Sequence, residues 1–161
     1  MPLKQPIGRA TRQRNPARTT EASLGPLPGY LGYQLRLAQI SVFSEFIERL
    51  LQIDLRPSQF GTLLVINANP GLSQADVCAA LDIHPANFAP MIASMEQRGL
   101  VQRSQRASDR RSYSLRLSPA GAALLQRAVA LQEQHEAEVA LRLGPGGKEM
   151  LLTLLTKITT R

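Results

Sequence analysis

Asp82-Ile83-His84-Pro85-Ala86-Asn87-Phe88-Ala89-Pro90-Met91-Ile92-Ala93-Ser94-Met95-Glu96-Gln97-Arg98-Gly99-Leu100-Val101, continued by a basic run to Leu117, decides the fold. Pro85 suits a first helical position, because its ring presets φ and the N–H it lacks has no partner there in any helix. Phe88, Met91, Ile92 and Met95 then recur at helical spacing and form one apolar stripe. The opposite side carries Ala86, Pro90 and Ala93, flanked by Asn87 and Ser94. These small, nearly uncharged residues let the helix backbone come close to another surface. Gly99 marks the stop, since a left-handed residue just past a helix is cheapest as glycine. Val101-Gln102-Arg103 reads as a short strand, with Tyr113, Leu115 and Leu117, alternating with Ser114 and Arg116, as its partner. Between them lies the arginine-rich tip Ser104 to Arg111. A slim-faced helix followed by a cationic hairpin is the outline of a winged helix-turn-helix, and it points to DNA.

Working outward, Ser73 reads as an N-cap with Asp76 three residues on, near a capping box. The helix it starts, Gln74 to Leu81, is the first of the helix-turn-helix, and the reading helix follows Asp82-Ile83-His84. Upstream, Ser58 to Ile66 forms a helix carrying Phe60, Leu63, Leu64 and Ile66, between the breakers Asp54-Leu55-Arg56-Pro57 and Asn69-Pro70-Gly71. Leu27-Pro28-Gly29 leads into a long helix from about Tyr30 to Leu51 with two apolar tracks. One runs Tyr30, Tyr33, Leu37, Ile40, Ser44, Ile47, Leu51, and the other Leu31, Leu35, Ala38, Val42, Phe46, Leu50. A single buried face needs one stripe, so two stripes imply contact with two bodies. Downstream, Ser118-Pro119 starts a helix that runs to about Leu143. Gly144-Pro145-Gly146-Gly147 turns the chain, and Leu151, Leu154, Leu155 and Ile158 form the apolar face of a last helix. Neither of these helices is needed for a winged helix, and their apolar faces ask for a partner.

A chain of 161 residues suits one domain with a real core, and 43% hydrophobic content is ordinary for a globular chain. No run is apolar enough to span a bilayer, and no secretory signal opens the chain. A single cysteine gives no disulfide framework and fits a reducing cytoplasm. The net charge of +7 is unevenly placed. Residues 1–25 hold five cations against Glu21, and residues 96–116 hold six arginines against Glu96 and Asp109, so each region nets +4. Two local patches are the footprint of a polyanion partner. The first 25 residues, rich in Pro, Arg, Gln and Thr without apolar periodicity, form an arm that either reaches phosphates or a minor groove or stays a solvated tail.

Other chemistries find no support in the residues. His84 and His135 are far apart and neither neighbours Cys78, so no metal-ligand spacing exists. Gly144-Pro145-Gly146-Gly147-Lys148 has Glu149 where a phosphate loop needs Ser or Thr, and no strand precedes it. No nucleophile stands beside a base, so no catalytic residue, cofactor or enzymatic activity is expected. Cys78, on the Val77/Leu81 line, reads as a small buried side chain. His84, at the mouth of the reading helix, either caps it or contacts a base or phosphate.

Met95-Glu96-x-Arg98-Gly99-Leu100-Val101-x-Arg103, Asp109-Arg110-Arg111 and Leu117-Ser118-x-x-Gly121 together resemble the MarR family of bacterial transcriptional regulators over about forty residues. Ser118 stands where the family usually has threonine, and Ala89-Pro90 where many members carry a polar or basic base-reading residue. The resemblance implies a mainly α fold with a small β-wing, a winged helix-turn-helix joined to an α-helical dimerisation bundle. The winged helix spans about 54–118 of a domain from 26 to 161, and the dimerisation helices about 28–52 and 119–160. It implies a cytoplasmic homodimer that represses or regulates transcription from a palindromic operator, with half-sites about one helical turn apart. The DNA-contacting residues are then His84, Ala86, Asn87, Pro90 and Ser94 on the reading helix and Arg106, Asp109, Arg110 and Arg111 in the wing. Asp109 buttresses Arg111 as in the family's Asp-x-Arg wing tip, which enters the minor groove. Family members commonly release DNA on binding a small aromatic ligand. Tyr30, Tyr33, Arg36 and Phe60 are the pocket candidates for an aromatic acid or its coenzyme A thioester, with core packing as their other reading. Two alternatives stay open: a winged-helix protein-interaction module, and a ligand-independent DNA-binding protein.

Overall fold

The computed structural model describes residues 22–106 and 109–160, with side chains described for 22–104 and 113–160. A 3-10 turn (Leu27–Gly29) precedes α1 (Leu31–Leu51), α2 (Pro57–Ala68), α3 (Gln74–Leu81) and α4 (Pro85–Gln97). Strands β1 (Val101–Arg106) and β2 (Asp109–Leu117) pair antiparallel, and α5 (Pro119–Leu143) and α6 (Gly147–Thr159) follow. This is the mainly helical winged-helix architecture that the sequence implies.

Local signals set the boundaries. Ser73 Oγ accepts the Asp76 N–H at 3.2 Å, and Asp76 Oδ2 accepts the Ser73 N–H at 2.9 Å, closing a capping box on α3. Asp82 ends α3 in the left-handed region (φ 51°), where a short polar side chain is tolerated, and the chain turns at once into α4. Gly99 has φ +69° and stops α4, as expected. α2 starts one residue earlier and ends two later than the sequence suggests, because Gln59 Oε1 accepts the Arg56 N–H at 3.0 Å ahead of Pro57.

The core lies within the winged helix. Leu55, Leu63, Ile66, Val77, Phe88, Ile92, Met95, Val101 and Leu115 are buried, and Leu50, Leu125 and Ala128 bring α1 and α5 onto it. The β2 pattern differs from strict alternation. Tyr113 is exposed and Ser114 buried, with the Ser114 and Ser104 hydroxyls 2.7 Å apart. The reason is a third, very short edge. The Gly71 N–H donates to the Leu115 carbonyl (2.9 Å), the Leu115 N–H donates to Leu72 (2.8 Å), and Ser73 bridges Ser114. Ser114 is thereby covered from both sides.

The wing is locked to α5 at Ser118, whose hydroxyl donates to the Gly99 carbonyl and accepts the Gly121 N–H. A Cβ on Gly121 would stand 2.0 Å from the Leu100 carbonyl oxygen, which explains why the Leu-Ser-x-x-Gly motif ends in glycine.

Beyond this core the helices are under-covered. Leu50 is the one buried side chain of α1, while Leu31, Leu37, Ile40, Phe43 and Leu51 are exposed. α6 buries none of its residues, and Leu154 and Ile158 are each about half exposed. Of the two bodies that α1's tracks call for, one chain supplies only the first.

Candidate nucleic-acid interface

α4 presents the face expected of it. Phe88, Ile92 and Met95 are buried beneath the helix, while Ala86, Asn87, Pro90 and Ser94 are exposed on its outer side. The helix runs unbroken through Pro90, whose missing N–H leaves the Ala86 carbonyl without its usual helical donor. His84 is exposed and its Nδ1 accepts the Ala86 N–H at 3.3 Å, so it is the N-cap of α4.

The residues after α4 split between scaffold and surface. Arg103 Nε lies 2.9 Å from Glu96 Oε2, an ion contact off the N–H axis that ties β1 to the end of α4. Arg98 Nη2 donates to the Asp54 carbonyl at 2.6 Å and stands 3.1 Å from its carboxylate. It thus fastens the end of α4 to the corner between α1 and α2, where Asp54 holds φ 51°. Along this flank of α4 runs an open groove of about 620 Å³, between Asn87, Pro90 and Ser94 on one wall and Asp54 to Gln59 on the other. Sequence reasoning passed over this groove, because Asp54-Leu55-Arg56-Pro57 reads there only as a helix break.

Of the remaining DNA candidates, Arg106 closes β1 opposite Asp109, with a register irregularity at Gln105/Arg106. The side chains of Arg106, Asp109, Arg110 and Arg111, and most of the N-terminal arm, lie outside the described residues.

The four ligand candidates do not come together within one chain. Phe60 is buried in the core, edge-on to Phe46 with centroids 5.6 Å apart. Tyr30 and Arg36 are exposed and Tyr33 half-buried in the first turns of α1. At about 1.5 Å rise per residue, the ten residues from Arg36 to Phe46 put roughly 15 Å of helix between them.

A second polar cluster escaped sequence reasoning. His135 is buried on α5, stacks on Phe46 with centroids 6.3 Å apart, and has Nε2 3.5 Å from Glu45 Oε2. Arg142 holds both Glu45 oxygens at 2.7 Å. That hydrogen bonding, helped by the nearby positive charge, keeps the Glu45 carboxyl below its ordinary value against some desolvation, and raises Arg142 in turn. Burial pushes the Cys78 thiol up, as befits a packed side chain. Among the described residues no group of three or more His, Cys, Asp or Glu could hold a metal, and no helix is long and apolar enough to cross a membrane.

Comparison with known proteins agrees with this architecture. A family model described as MarR family matches residues 53–112. A protein named for transcriptional regulation of the hcr operon of Thauera aromatica is 31% identical over 146 residues, 89% of this chain and 88% of that protein. Transcriptional regulator HosA of Escherichia coli is 30% identical over 105 residues, 65% of this chain and 78% of its own. Among solved structures, the transcriptional repressor CouR bound to a 23-mer DNA duplex superposes with TM-score 0.80 at 38% identity, covering 86% of this chain and 99% of that one. CouR bound to p-coumaroyl-CoA gives TM-score 0.77 at 34% identity, covering 86% and 98%.

Proposed function

The chain belongs to the MarR family of transcriptional regulators, and from that membership we propose that it is a homodimeric repressor of an inverted-repeat operator, released by a small aromatic ligand. α4 enters the major groove with its slim outer face, and Asn87 reads an adenine edge through paired hydrogen bonds. The wing reaches the flanking minor groove with Arg111, buttressed by Asp109, while Arg106 and Arg110 meet phosphates. The observation that carries the reading is the outer face of α4, uncharged and shallow, beside a basic hairpin, on a chain alike in sequence and shape to a repressor whose structure holds DNA.

Dimerisation is supported by the exposed apolar faces of α1 and α6, which are too extended for a soluble monomer to leave open. Two-fold pairing then sets two half-sites about one helical turn apart. The effector class is supported by CouR, whose structure holds p-coumaroyl-CoA. We assign Tyr30, Tyr33 and Arg36 to the effector site, where a second copy packing on α1 would enclose them; Phe60 serves the core instead.

Selection of tight-binding duplexes from a random library tests the reading. An inverted repeat should emerge, and p-coumaroyl-CoA or a related aromatic thioester should release it. A selection that enriches no duplex would overturn the assignment to DNA, and an enriched duplex indifferent to aromatic acids and their thioesters would overturn the effector.

A further inference from the structure

We propose that the groove between α4 and the α1–α2 corner seats a phosphate of the DNA backbone, held by Arg56, which makes that corner a third DNA-contacting element beside the reading helix and the wing. This rests on the DNA-binding reading and adds to it a residue outside the helix-turn-helix and the hairpin.

The first argument is dimensional. An α-helix with its side chains is about 10–12 Å across and the major groove about 12 Å wide, so α4 fills the groove and the sugar-phosphate strands run along its flanks. The open groove of about 620 Å³ lies on one of those flanks and shares Asn87, Pro90 and Ser94 with the outer face of α4. A strand beside α4 therefore has to pass the α1–α2 corner.

The second argument is charge. Ala86, Asn87, Pro90 and Ser94 offer no cation, so the helix itself cannot neutralise phosphate. Three charged residues line the groove: Asp54, Arg56 and Arg98. Arg98 is taken by Asp54, through both its carbonyl and its carboxylate. Arg56 is exposed, and among the described residues its side chain makes no cap hydrogen bond and its guanidinium no ion pair. Among the described residues, the uncompensated positive charge of the groove is thus that of Arg56.

The third argument is placement. Arg56 precedes Pro57, which restricts it to extended backbone, and it has φ −102° and ψ 153°. Its N–H is fixed on Gln59 Oε1, and Gln59 is buried. The root of the side chain is held while its guanidinium is exposed, and a forked donor suits a phosphate.

The test uses the full chain, as wild type, R56Q and R56K, on a labelled random-sequence duplex of about 30 base pairs and on a selected duplex, between about 50 and 200 mM salt. For R56Q we expect affinity to fall by the same factor on both duplexes, since phosphate contacts carry no sequence information. The slope of log affinity against log salt should shrink by about 0.9 per phosphate lost, or about 1.8 when both protomers are seated. R56K should keep the slope, and the melting temperature of R56Q should match wild type, as its side chain is exposed. Unchanged affinity, a loss without change of slope, or a loss confined to the selected duplex would each overturn the proposal. So would normal DNA binding with a lost response to p-coumaroyl-CoA, which would give the groove to the effector. A wild-type chain that ignores every duplex would instead defeat the DNA-binding reading itself.

Discussion

Adding one methyl group at Gly121 sets two physical effects against each other. Gly121 lies in the first turn of α5, and glycine to alanine inside a helix ordinarily gains about 1 kcal/mol. Here the new Cβ would stand 2.0 Å from the Leu100 carbonyl oxygen, 2.9 Å from its carbon and 3.2 Å from Leu100 Cα. Carbon–oxygen contacts settle at about 3.3–3.6 Å, so the two segments must part by more than about 1 Å. Neither moves freely. The Leu100 carbonyl accepts the Ser118 N–H at 3.0 Å, and the Leu100 N–H donates to Met95 at 2.9 Å. Overpacking of this kind costs about 1–3 kcal/mol, and straining the Ser118 cap, now 2.9 Å from the Gly121 N–H, adds about 1 kcal/mol. After the helix gain is subtracted, Gly121→Ala should be destabilised by about 2 kcal/mol, or roughly 4–8 °C in melting temperature for a domain of this size. Thermal denaturation followed by circular dichroism at one fixed protein concentration reads this directly. Gly61→Ala is the control, because its Cβ would meet only Leu81 Cδ2 at 3.7 Å, an ordinary contact, and it should melt at or above wild type. A Gly121→Ala protein as stable as Gly61→Ala would refute the steric account of the motif.

Pro90→Ala restores a helical hydrogen bond and should raise stability by up to about 3 kcal/mol while reducing discrimination between selected and scrambled duplexes; unchanged discrimination would make the proline incidental to reading. Arg111→Ala should weaken DNA binding by about 1–3 kcal/mol, and Asp109→Ala should weaken it too, although it removes a negative charge near phosphate; tighter binding by the Asp109 variant would end the buttress idea. Ile158→Glu places a charge on the exposed apolar face of α6 and should yield monomers near 17.6 kDa on sedimentation, whereas an unaltered dimer would move the interface elsewhere. The Glu45 carboxyl is held below its ordinary value near 4.5, so its contribution is complete above that pH and is lost as pH falls through the lower folded value. Glu45→Gln should therefore flatten the acid limb of a stability-versus-pH curve, and an acid limb identical to wild type would show that the Arg142 contact contributes nothing.

What the sequence made legible was whatever side-chain chemistry announces locally. The Phe88/Ile92/Met95 stripe, the Ser73–Asp76 box and the Gly99 stop each follow from one residue type in one place, and each stands in the structure as read. The third edge at Gly71 to Ser73 is made of backbone bonds to Leu115, which no side-chain pattern reports. That isolated bridge is also why Ser114 is buried where alternation placed Tyr113. His135 sits among Gln and Glu residues on a helix that looks solvated, and only the packing of Phe46 against it reveals that it is inside. Phe60 is ambiguous for a related reason: an aromatic residue at helical spacing serves core and pocket alike, and its packing against Phe46, fourteen positions away in sequence, is not written in the local pattern.

The same distinction changes how the basic region is weighed. Residues 96–116 net +4, but Arg98 is fastened to Asp54 and Arg103 to Glu96, so neither is available to bind a polyanion without giving up a structural contact. Both lie in the family motif, and both join α4 to a neighbour, one to the α1–α2 corner and the other to the wing. Arg98 and Arg103 therefore fix the angle at which α4 is presented, and of the six arginines in this region they leave Arg106, Arg110, Arg111 and Arg116; in our proposal DNA charge neutralisation falls to Arg106, Arg110, Arg111 and Arg56. Replacing Arg103 with alanine should then disturb the wing's orientation on α4 more than it lowers the salt dependence of binding. A salt slope that drops by about 0.9 per protomer in Arg103→Ala would show instead that this arginine leaves Glu96 for phosphate when DNA arrives.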